Sequence, residues 1–234
     1  MIVWLAGAVV SMLAGASDPL DALPPPAAGA LRVYAVRHGQ AKSNLSPPPR
    51  LPPDALDRLT DLGREQSRAV GHALAGRGIR LVLTSPARRA RETAAEIAAG
   101  LGRPALRIEP DLRPMAEGRS PTGKPLTFDD RVTEWKAGRD PTPPGGESLA
   151  QVGRRVLAAA ARLARAGQSG PVVFVAHSEV IGAFLGQVQG RPGAASYPPG
   201  LRNGSISVVD VPADGPPRVL LTDQVPEPAA AAAR

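Results

Sequence analysis

LRVYAVRHGQAKSN, residues 31–44, joins an apolar run to a short cluster of polar residues. The first part alternates and is mostly apolar, which predicts a buried strand. Arg37, His38 and Gly39 then place a cation and an imidazole at the end of that strand. In open α/β sheets, ligands bind just beyond the carboxyl ends of the strands. An Arg–His pair at this position is therefore placed to meet an anion.

Three later stretches repeat this layout of an apolar run followed by polar residues. Residues 79–84 (IRLVLT) lead into SPARRAR, residues 105–109 (ALRIE) lead into DLRPMAEG, and residues 171–176 (PVVFVA) lead into HSE. The last run is apolar throughout, which is typical of a parallel strand buried on both faces. Strands that alternate with helical patterns predict a three-layer α/β/α sandwich, with a mostly parallel central sheet and helices on both faces.

Helical patterns fill the intervals between these strands. One helix is predicted to begin at Thr60 or Asp61, and a second to open with Pro86 at its first position. A short amphipathic piece covers residues 128–135, and Ser148 caps a longer helix. Residues 205–211 and 218–222 read as strands that finish the sheet. The Pro- and Gly-rich stretch 110–146 is long for a loop, and we expect it to cover the pocket.

Five short motifs occur in the order found in the histidine phosphatase superfamily, branch 1, whose fold is called phosphoglycerate mutase-like. The chain resembles this family over residues 31–210. Its matching motifs are RHG at 37–39, LTxxGxxQ at 59–66, RAxxTA at 89–94, GES at 146–148 and VAH at 175–177. The resemblance implies the α/β fold already indicated by the strand pattern, and it implies an enzyme that acts on phosphate groups.

The resemblance also implies a role for each core residue. His38 would be the nucleophile that becomes a phosphohistidine. Arg37 and Arg89 would hold the phosphoryl oxygens through their planar guanidinium groups. His177, protonated beside the anion, would add a further donor, and Asn44 matches a secondary phosphate contact. Such chemistry needs no cofactor, and it needs a neutral imidazole whose second nitrogen is tied to a carbonyl.

The general acid is where the chain departs from the family pattern. Members that have one carry it as the Glu of an LxExxxG segment, and here that register reads LRPMAEG with Pro114 at the acid's position. Proline cannot protonate a leaving alkoxide. Glu117, three residues further on, and Glu179, two residues after His177, are the candidate substitutes. A third possibility is that no dedicated acid exists, which would suit a leaving group of low basicity.

These residues favour a metal-independent phosphatase that hydrolyses phosphomonoesters through His38. The alternatives are a protein phosphohistidine phosphatase, a phosphoglycerate mutase-like mutase, and an inactive protein that binds phospholigands. A mutase is less favoured because the chain lacks the ERHYG segment of true phosphoglycerate mutases. The expected partner is a phosphorylated small molecule or a phosphoprotein.

Composition narrows the possible classes of protein. The chain has no cysteine, which excludes disulfides, thiolate catalysis and Cys-based zinc sites. Its three histidines form no metal-binding pattern, so no metal is expected. The net charge of +7 favours anionic ligands. With 3% aromatic residues and no long basic block, specific nucleic-acid binding has little support.

The termini differ in composition from the rest of the chain. Residues 1–16 form an uncharged apolar run ending in Ala-Gly-Ala, which resembles a signal peptide or an anchor segment. Residues 17–30 read as a Pro/Ala-rich linker, 31–223 as the histidine phosphatase domain and 224–234 as a disordered tail. We therefore expect an exported or cell-envelope protein that meets the membrane only if this first segment is uncleaved; otherwise it is cytoplasmic.

Overall fold

The computed structural model describes residues 18–168, 170–197 and 200–227. The predicted signal or anchor segment, 1–16, lies outside the described residues, as do residues 228–234 of the predicted tail. Within the described ranges, no helix has both the length and the apolar character needed to cross a membrane. The predictions of export and of a disordered tail stay predictions.

A six-stranded sheet forms the centre of the fold, in the order β3-β2-β4-β1-β5-β6. Its strands are β1 (Ala30–Arg37), β2 (Leu81–Thr84), β3 (Ala105–Ile108), β4 (Val172–Ala176), β5 (Ile206–Pro212) and β6 (Arg218–Gln224). The pairs β3–β2, β2–β4 and β4–β1 are parallel, whereas β5 runs antiparallel to both β1 and β6. The mostly parallel sheet is confirmed, and the strand β6 extends to Gln224, one residue into the predicted tail.

Helices cover both faces of this sheet, as predicted. The helices are α1 (Pro53–Leu56), α2 (Asp61–Ala73), α3 (Arg88–Gly100), α4 (Phe128–Lys136), α5 (Leu149–Arg165) and α6 (Ser178–Val188). Three short 3-10 turns lie at Lys42–Asn44, Pro110–Leu112 and Gly193–Ser196. Thr60 caps α2, and Ser148 caps α5 with its hydroxyl accepting the N–H of Gln151. Both caps confirm the helix starts read from the sequence.

The apolar side chains of β4 pack in two hydrophobic cores, one on each face of the sheet. Phe174 packs in the core that contains α5 and α6, while Val173 and Val175 pack in the core that contains α2 and α3. Successive side chains on a strand point to opposite faces, so a strand covered on both sides needs apolar residues at every position. This is the physical reason that PVVFVA lacks polar residues.

The register of the parallel strands brings their polar continuations together. Arg37 pairs with Ala176 across β1 and β4, and Thr84 pairs with Val175 across β2 and β4. The ladder continues one residue beyond, since the N–H of His38 donates to Ala176 O at 3.0 Å and that of Ser85 to Val175 O at 2.9 Å. The residues that follow these strands therefore lie at one edge of the sheet.

Two details differ from the sequence-based expectation. The helix α3 begins at Arg88 with Ala87 as its N-cap, so Pro86 precedes the helix instead of opening it. The carboxylate of Asp57 accepts the N–H of Arg88 at 2.7 Å, which supplies the cap that Ala87 lacks. Within the predicted linker, Leu20 is 1% exposed in the core, and Arg77 donates to Leu20 O at 2.9 Å. This part of the linker packs on the domain.

Candidate active site

A cavity of about 460 Å³ opens at the edge of the sheet where β1, β2 and β4 end. Every residue predicted for the site lines it: Arg37, His38, Asn44, Arg89, Glu117, His177 and Glu179. These residues come from four separated stretches of the chain. Pro114 and Met115, Phe128 and Tyr197 complete much of the outer wall, which confirms that part of the 110–146 stretch covers the pocket.

His38 is held with one ring nitrogen facing a guanidinium group. Its Nδ1 lies 2.8 Å from Gly39 O, and its Nε2 lies 3.0 Å from Arg89 Nε. A carbonyl only accepts and a guanidinium only donates, so Nδ1 carries the proton and Nε2 presents its lone pair. Burial, with the positive charges of Arg89 and Arg37, lowers the pKa of His38 to about 3. The imidazole is therefore neutral at physiological pH.

His177 adopts the opposite tautomer. Arg89 Nη2 donates to its Nδ1 at 3.0 Å, and its Nε2 lies 2.8 Å from Ser85 Oγ, so the proton is on Nε2. The two imidazoles meet edge to face with their centroids 5.2 Å apart. Burial, followed by His38 and Arg89, lowers the pKa of His177 well below its usual value. The sequence predicted a protonated His177. In this structure His177 is neutral, so its protonation requires a bound anion whose negative charge favours the imidazolium form.

Arg89 joins the two histidines to a carboxylate. Its Nε and Nη2 reach the imidazoles, and its Nη1 forms a salt bridge with Asp57. Asp57 also caps α3 through the N–H of Arg88, so one carboxylate fixes both the start of the helix and the guanidinium group. Arg88, the neighbouring candidate in sequence, points to Asp54 and Glu92 instead. The register of the RAxxTA motif thus selects the residue that faces the cavity.

Arg37 approaches from the other side of His38. Its Nη1 donates to Leu201 O, and within the described ranges its buried Nε has no hydrogen-bond partner. A buried guanidinium nitrogen of this kind is available to a phosphoryl oxygen. Asn203 supports the same region, because its Nδ2 donates to His38 O at 3.0 Å.

The glycine after His38 is required by a close backbone approach. A Cβ at Gly39 would lie 2.2 Å from Gly63 O, and a Cβ at Gly63 would lie 2.1 Å from Gln40 O. Neither position has room for a methyl group, so the end of β1 packs directly on the first turn of α2. The N–H of Gly39 donates to Thr93 Oγ1 at 3.0 Å, which ties the same loop to α3.

The segment around Pro114 is clamped to α5. Arg155 donates to Asp111 O and, at 3.0 Å, to Arg113 O. Glu147 accepts hydrogen bonds from Arg155 at 2.9 Å and from the N–H of Ala116 at 3.2 Å. Glu147 thus anchors the segment and does not line the cavity. The clamp places Pro114 in the cavity wall, so the residue at the register of the family's acid cannot ionise.

The two candidate acids occupy different depths. Glu179 is half-buried in the first turn of α6, whereas Glu117 is exposed at the rim. Burial raises the pKa of Glu179, against the lowering effects of its own N–H, Arg89, the N–H of Met115 and Arg37. Partial burial also raises the pKa of Glu117, with Arg131 opposing and Asp130 reinforcing the shift. Both carboxyls therefore hold a proton more readily than an ordinary glutamate.

Sequence reasoning did not identify Asp57 and Asn203 as parts of the site. Both lie in loops without a recognised motif. The tertiary structure alone shows that Asp57 contacts Arg89 and that Asn203 contacts His38. Ser85 follows β2 directly, and the strand-end rule marks it as a site neighbour without giving its role. Within 18–168, 170–197 and 200–227, no group of three or more acidic or histidine side chains is arranged to hold a metal ion.

Comparisons with known proteins agree with this geometry. The family described as the histidine phosphatase superfamily (branch 1) matches residues 33–224. A probable phosphoglycerate mutase GpmB of Photorhabdus laumondii is 30% identical over 185 residues, covering 77% of this chain and 85% of that protein. Among solved structures, one described as mycobacterial hydrolase 2 has a TM-score of 0.67 at 26% identity, covering 86% of this chain and 94% of that chain. A mycobacterial glucosyl-3-phosphoglycerate phosphatase has a TM-score of 0.63 at 26% identity, covering 83% and 99%.

Proposed function

The chain belongs to the histidine phosphatase superfamily (branch 1), and we propose that it is a metal-independent phosphatase that hydrolyses phosphomonoesters through a phosphohistidine on His38. One observation carries this proposal. Gly39 O holds Nδ1 of His38 so that the unprotonated Nε2 faces Arg89 and the cavity. A nucleophilic imidazole needs this tautomer and this orientation.

The first step transfers the phosphoryl group to the enzyme. Arg37 and Arg89 donate to the phosphoryl oxygens and stabilise the charge that spreads over them in the transition state. The lone pair of His38 Nε2 forms a bond to phosphorus while the bond from phosphorus to the ester oxygen breaks. His177 takes up a proton from solvent as the anion arrives and becomes a further donor, because the negative charge offsets the effect of burial on its pKa. It returns that proton to solvent when phosphate leaves.

Glu179 is the acid that we assign to the leaving group. It is half-buried beside both arginines, and burial raises its pKa, so it holds a proton for the departing alkoxide more readily than an ordinary glutamate. Water then attacks the phosphohistidine, the bond from phosphorus to nitrogen breaks, and a proton of that water returns to Glu179. The net reaction consumes one water and releases an alcohol and inorganic phosphate, so the enzyme is unchanged.

A mutase is the second candidate, since the Photorhabdus relative is named as a probable phosphoglycerate mutase. A mutase must protonate and deprotonate a substrate hydroxyl in both directions. Pro114 occupies the register of the family's acid in the cavity wall, so a mutase would depend on Glu179 for both proton transfers.

Turnover of p-nitrophenyl phosphate in EDTA tests the proposal. We expect hydrolysis that vanadate inhibits and that His38→Ala abolishes, with an acid-labile phosphoenzyme trapped only in the parent protein. His72→Ala is the matched control, because His72 is exposed on α2, away from the cavity. Activity that survives His38→Ala would remove the mechanism.

Two further outcomes separate the alternatives. Conversion of 3-phosphoglycerate to 2-phosphoglycerate in the presence of 2,3-bisphosphoglycerate, faster than release of phosphate, would establish a mutase. Saturable binding of phosphate without turnover on any ester would instead establish a phospholigand-binding protein.

A further inference from the structure

We propose that the outer part of the cavity selects phosphomonoesters whose leaving group is uncharged and presents an aromatic or apolar face, and that it disfavours leaving groups that carry a carboxylate. This inference rests on the proposed phosphatase activity. We call the wall formed by Pro114, Met115, Glu117, Phe128 and Tyr197 the outer chamber, and the group of Arg37, His38, Arg89 and His177 the inner cluster.

The outer chamber has an aromatic wall. Phe128 and Tyr197 line the cavity, and both rings pack on Trp135, with centroid distances of 5.7 Å and 5.0 Å. The chain has three Phe, two Trp and two Tyr, and one of each forms this cluster. Phe128 is 39% exposed, although burying a large apolar side chain would stabilise the folded protein. Its exposed face is available to an apolar group of the substrate.

The charge of the wall gives the second argument. The protein has 28 Lys and Arg residues, but among the described residues that line the cavity the only ones are Arg37 and Arg89. Both belong to the inner cluster and would be occupied by the phosphate. The carboxylic side chains of the lining are Glu117, at the rim, and Glu179, to which we assign the proton for the leaving group. A second anionic group would therefore meet the Glu117 carboxylate and would find no cation to pair with.

The nearby cations are committed elsewhere. Arg131 interacts with Glu117, but it is 1% exposed and its Nη2 donates to Pro141 O at 2.8 Å and Glu147 O at 2.9 Å. The Arg113 guanidinium donates to Glu147 at 2.7 Å, and neither residue lines the cavity. Neither guanidinium lines the cavity, so neither can hold a substrate carboxylate without moving.

Hydroxyl groups are compatible with this wall. Ser43, Asn44 and Ser178 line the cavity near the inner cluster, and each can exchange hydrogen bonds with an alcohol. The chamber therefore discriminates by charge and by the presence of a flat apolar group, and it does not exclude polar substrates as such.

Two matched pairs of substrates test the inference. Ethyl phosphate and 2-phenylethyl phosphate share a primary alkyl ester and differ by a phenyl ring. Glycerol 3-phosphate and 3-phosphoglycerate share the ester carbon and differ by a carboxylate. We expect kcat/KM to be at least tenfold higher for the phenyl compound in the first pair, and at least tenfold lower for the carboxylate compound in the second.

Variants assign each preference to a side chain. Phe128→Ala should reduce the phenyl preference at least threefold, while Leu106→Ala, which removes an equally exposed leucine from β3 outside the cavity, should not change it. Glu117→Gln should weaken the discrimination against the carboxylate, and Glu117→Lys should weaken it further. Ratios within a pair cancel any effect of these substitutions on the chemical step.

The outcomes distinguish failure of the inference from failure of the proposed function. If no ester is hydrolysed, the phosphatase proposal itself is overturned. If the esters are hydrolysed but both pairs react at equal rates, or if 3-phosphoglycerate is preferred, the phosphatase proposal survives and the proposed selectivity is wrong. Discrimination that Glu117→Lys leaves unchanged would likewise overturn the assignment to Glu117.

Discussion

The inner cluster and the outer chamber share one cavity but are built in opposite ways. Arg37, His38 and His177 lie at or just past the ends of adjacent parallel strands, and hydrogen bonds fix both imidazoles. The outer chamber comes from loops and from the short helix α4, and its aromatic rings are partly exposed. The contrast separates two tasks. Phosphoryl transfer requires groups that the sheet holds in fixed positions. The choice of leaving group depends on loop segments that can vary in sequence without disturbing the inner cluster.

The largest effect should come from the inner cluster, at Arg89. Arg89→Lys keeps the positive charge but loses the fork that reaches both imidazoles and the phosphoryl oxygens, so kcat/KM should fall on the order of 10²–10³-fold. Steady-state kinetics with p-nitrophenyl phosphate measures this. Arg88→Lys is the control, because Arg88 pairs with Asp54 and Glu92 outside the cavity. Equal losses in both variants would contradict the assignment of Arg89.

A second prediction concerns the boundary between the two regions, at Glu179. Glu179→Gln cannot protonate an alkoxide, so kcat for an alkyl phosphate should fall about 100-fold, whereas p-nitrophenyl phosphate should change less than about tenfold. Glu117→Gln is the comparison, since Glu117 lies at the rim. A selective loss on the alkyl ester in Glu117→Gln would transfer the acid role to the outer chamber. If neither variant slows the alkyl ester, the enzyme has no dedicated acid.

Asp57 should have a smaller effect, because it acts through Arg89. Asp57→Asn removes the charge that holds Arg89 Nη1 and weakens the cap of α3, so kcat/KM should fall about 10–100-fold. Asp54→Asn changes an exposed carboxylate on the same helix segment and serves as the control. Partial rescue by Asp57→Glu, with thermal stability unchanged, would identify positioning of the guanidinium. A loss fully explained by unfolding would refute it.

The last prediction concerns stability, where the effect is small near neutral pH and grows only at low pH, and it comes from burial of the inner imidazoles. The pKa of His38 is about 3 in the folded protein and near 6.5 when unfolded, so between these values the unfolded state binds one more proton. His38 therefore does not lower the free energy of unfolding above pH 6.5. As the pH falls below 6.5, the free energy of unfolding decreases by up to about 1.4 kcal/mol per pH unit. Urea unfolding at several pH values measures the slope. His38→Asn should lower this slope by about one bound proton.

The sequence predicted that the inner cluster would meet at one edge of the sheet because strand ends are local patterns, whereas the choice of Arg89 came from the resemblance to the family. The catalytic roles of these residues stay predictions. Strand-like runs that end in Arg37-His38-Gly39 and in His177 determine both the sheet and the edge at which the groups meet. The cap at Ser148 and the short amphipathic piece predicted at residues 128–135 are equally local, and the structure shows the cap of α5 and the helix α4 there. Each of these features is visible within a dozen residues.

The features that the sequence did not predict all depend on distant contacts. Asp57 contacts Arg89 across 32 residues, and nothing in its own neighbourhood indicates that role. The sequence around Leu20 indicates a linker, but in the structure Arg77, 57 residues later in the chain, donates a hydrogen bond to the Leu20 carbonyl. Tyr197 joins Phe128 in the aromatic wall only because α4, which carries Trp135, meets the turn at Gly193–Ser196. Pairings of this kind are set by the tertiary fold.

The bridge that Arg89 makes between His38, His177 and Asp57 has a consequence for the end of the catalytic cycle. An oxyanion that enters must take over N–H groups of Arg89 that already have acceptors, so at this residue it exchanges hydrogen bonds and adds few. When orthophosphate leaves, Arg89 re-forms its hydrogen bonds with the two histidines and its salt bridge with Asp57. We therefore expect weak inhibition by the product, so that the enzyme keeps turning over while phosphate accumulates.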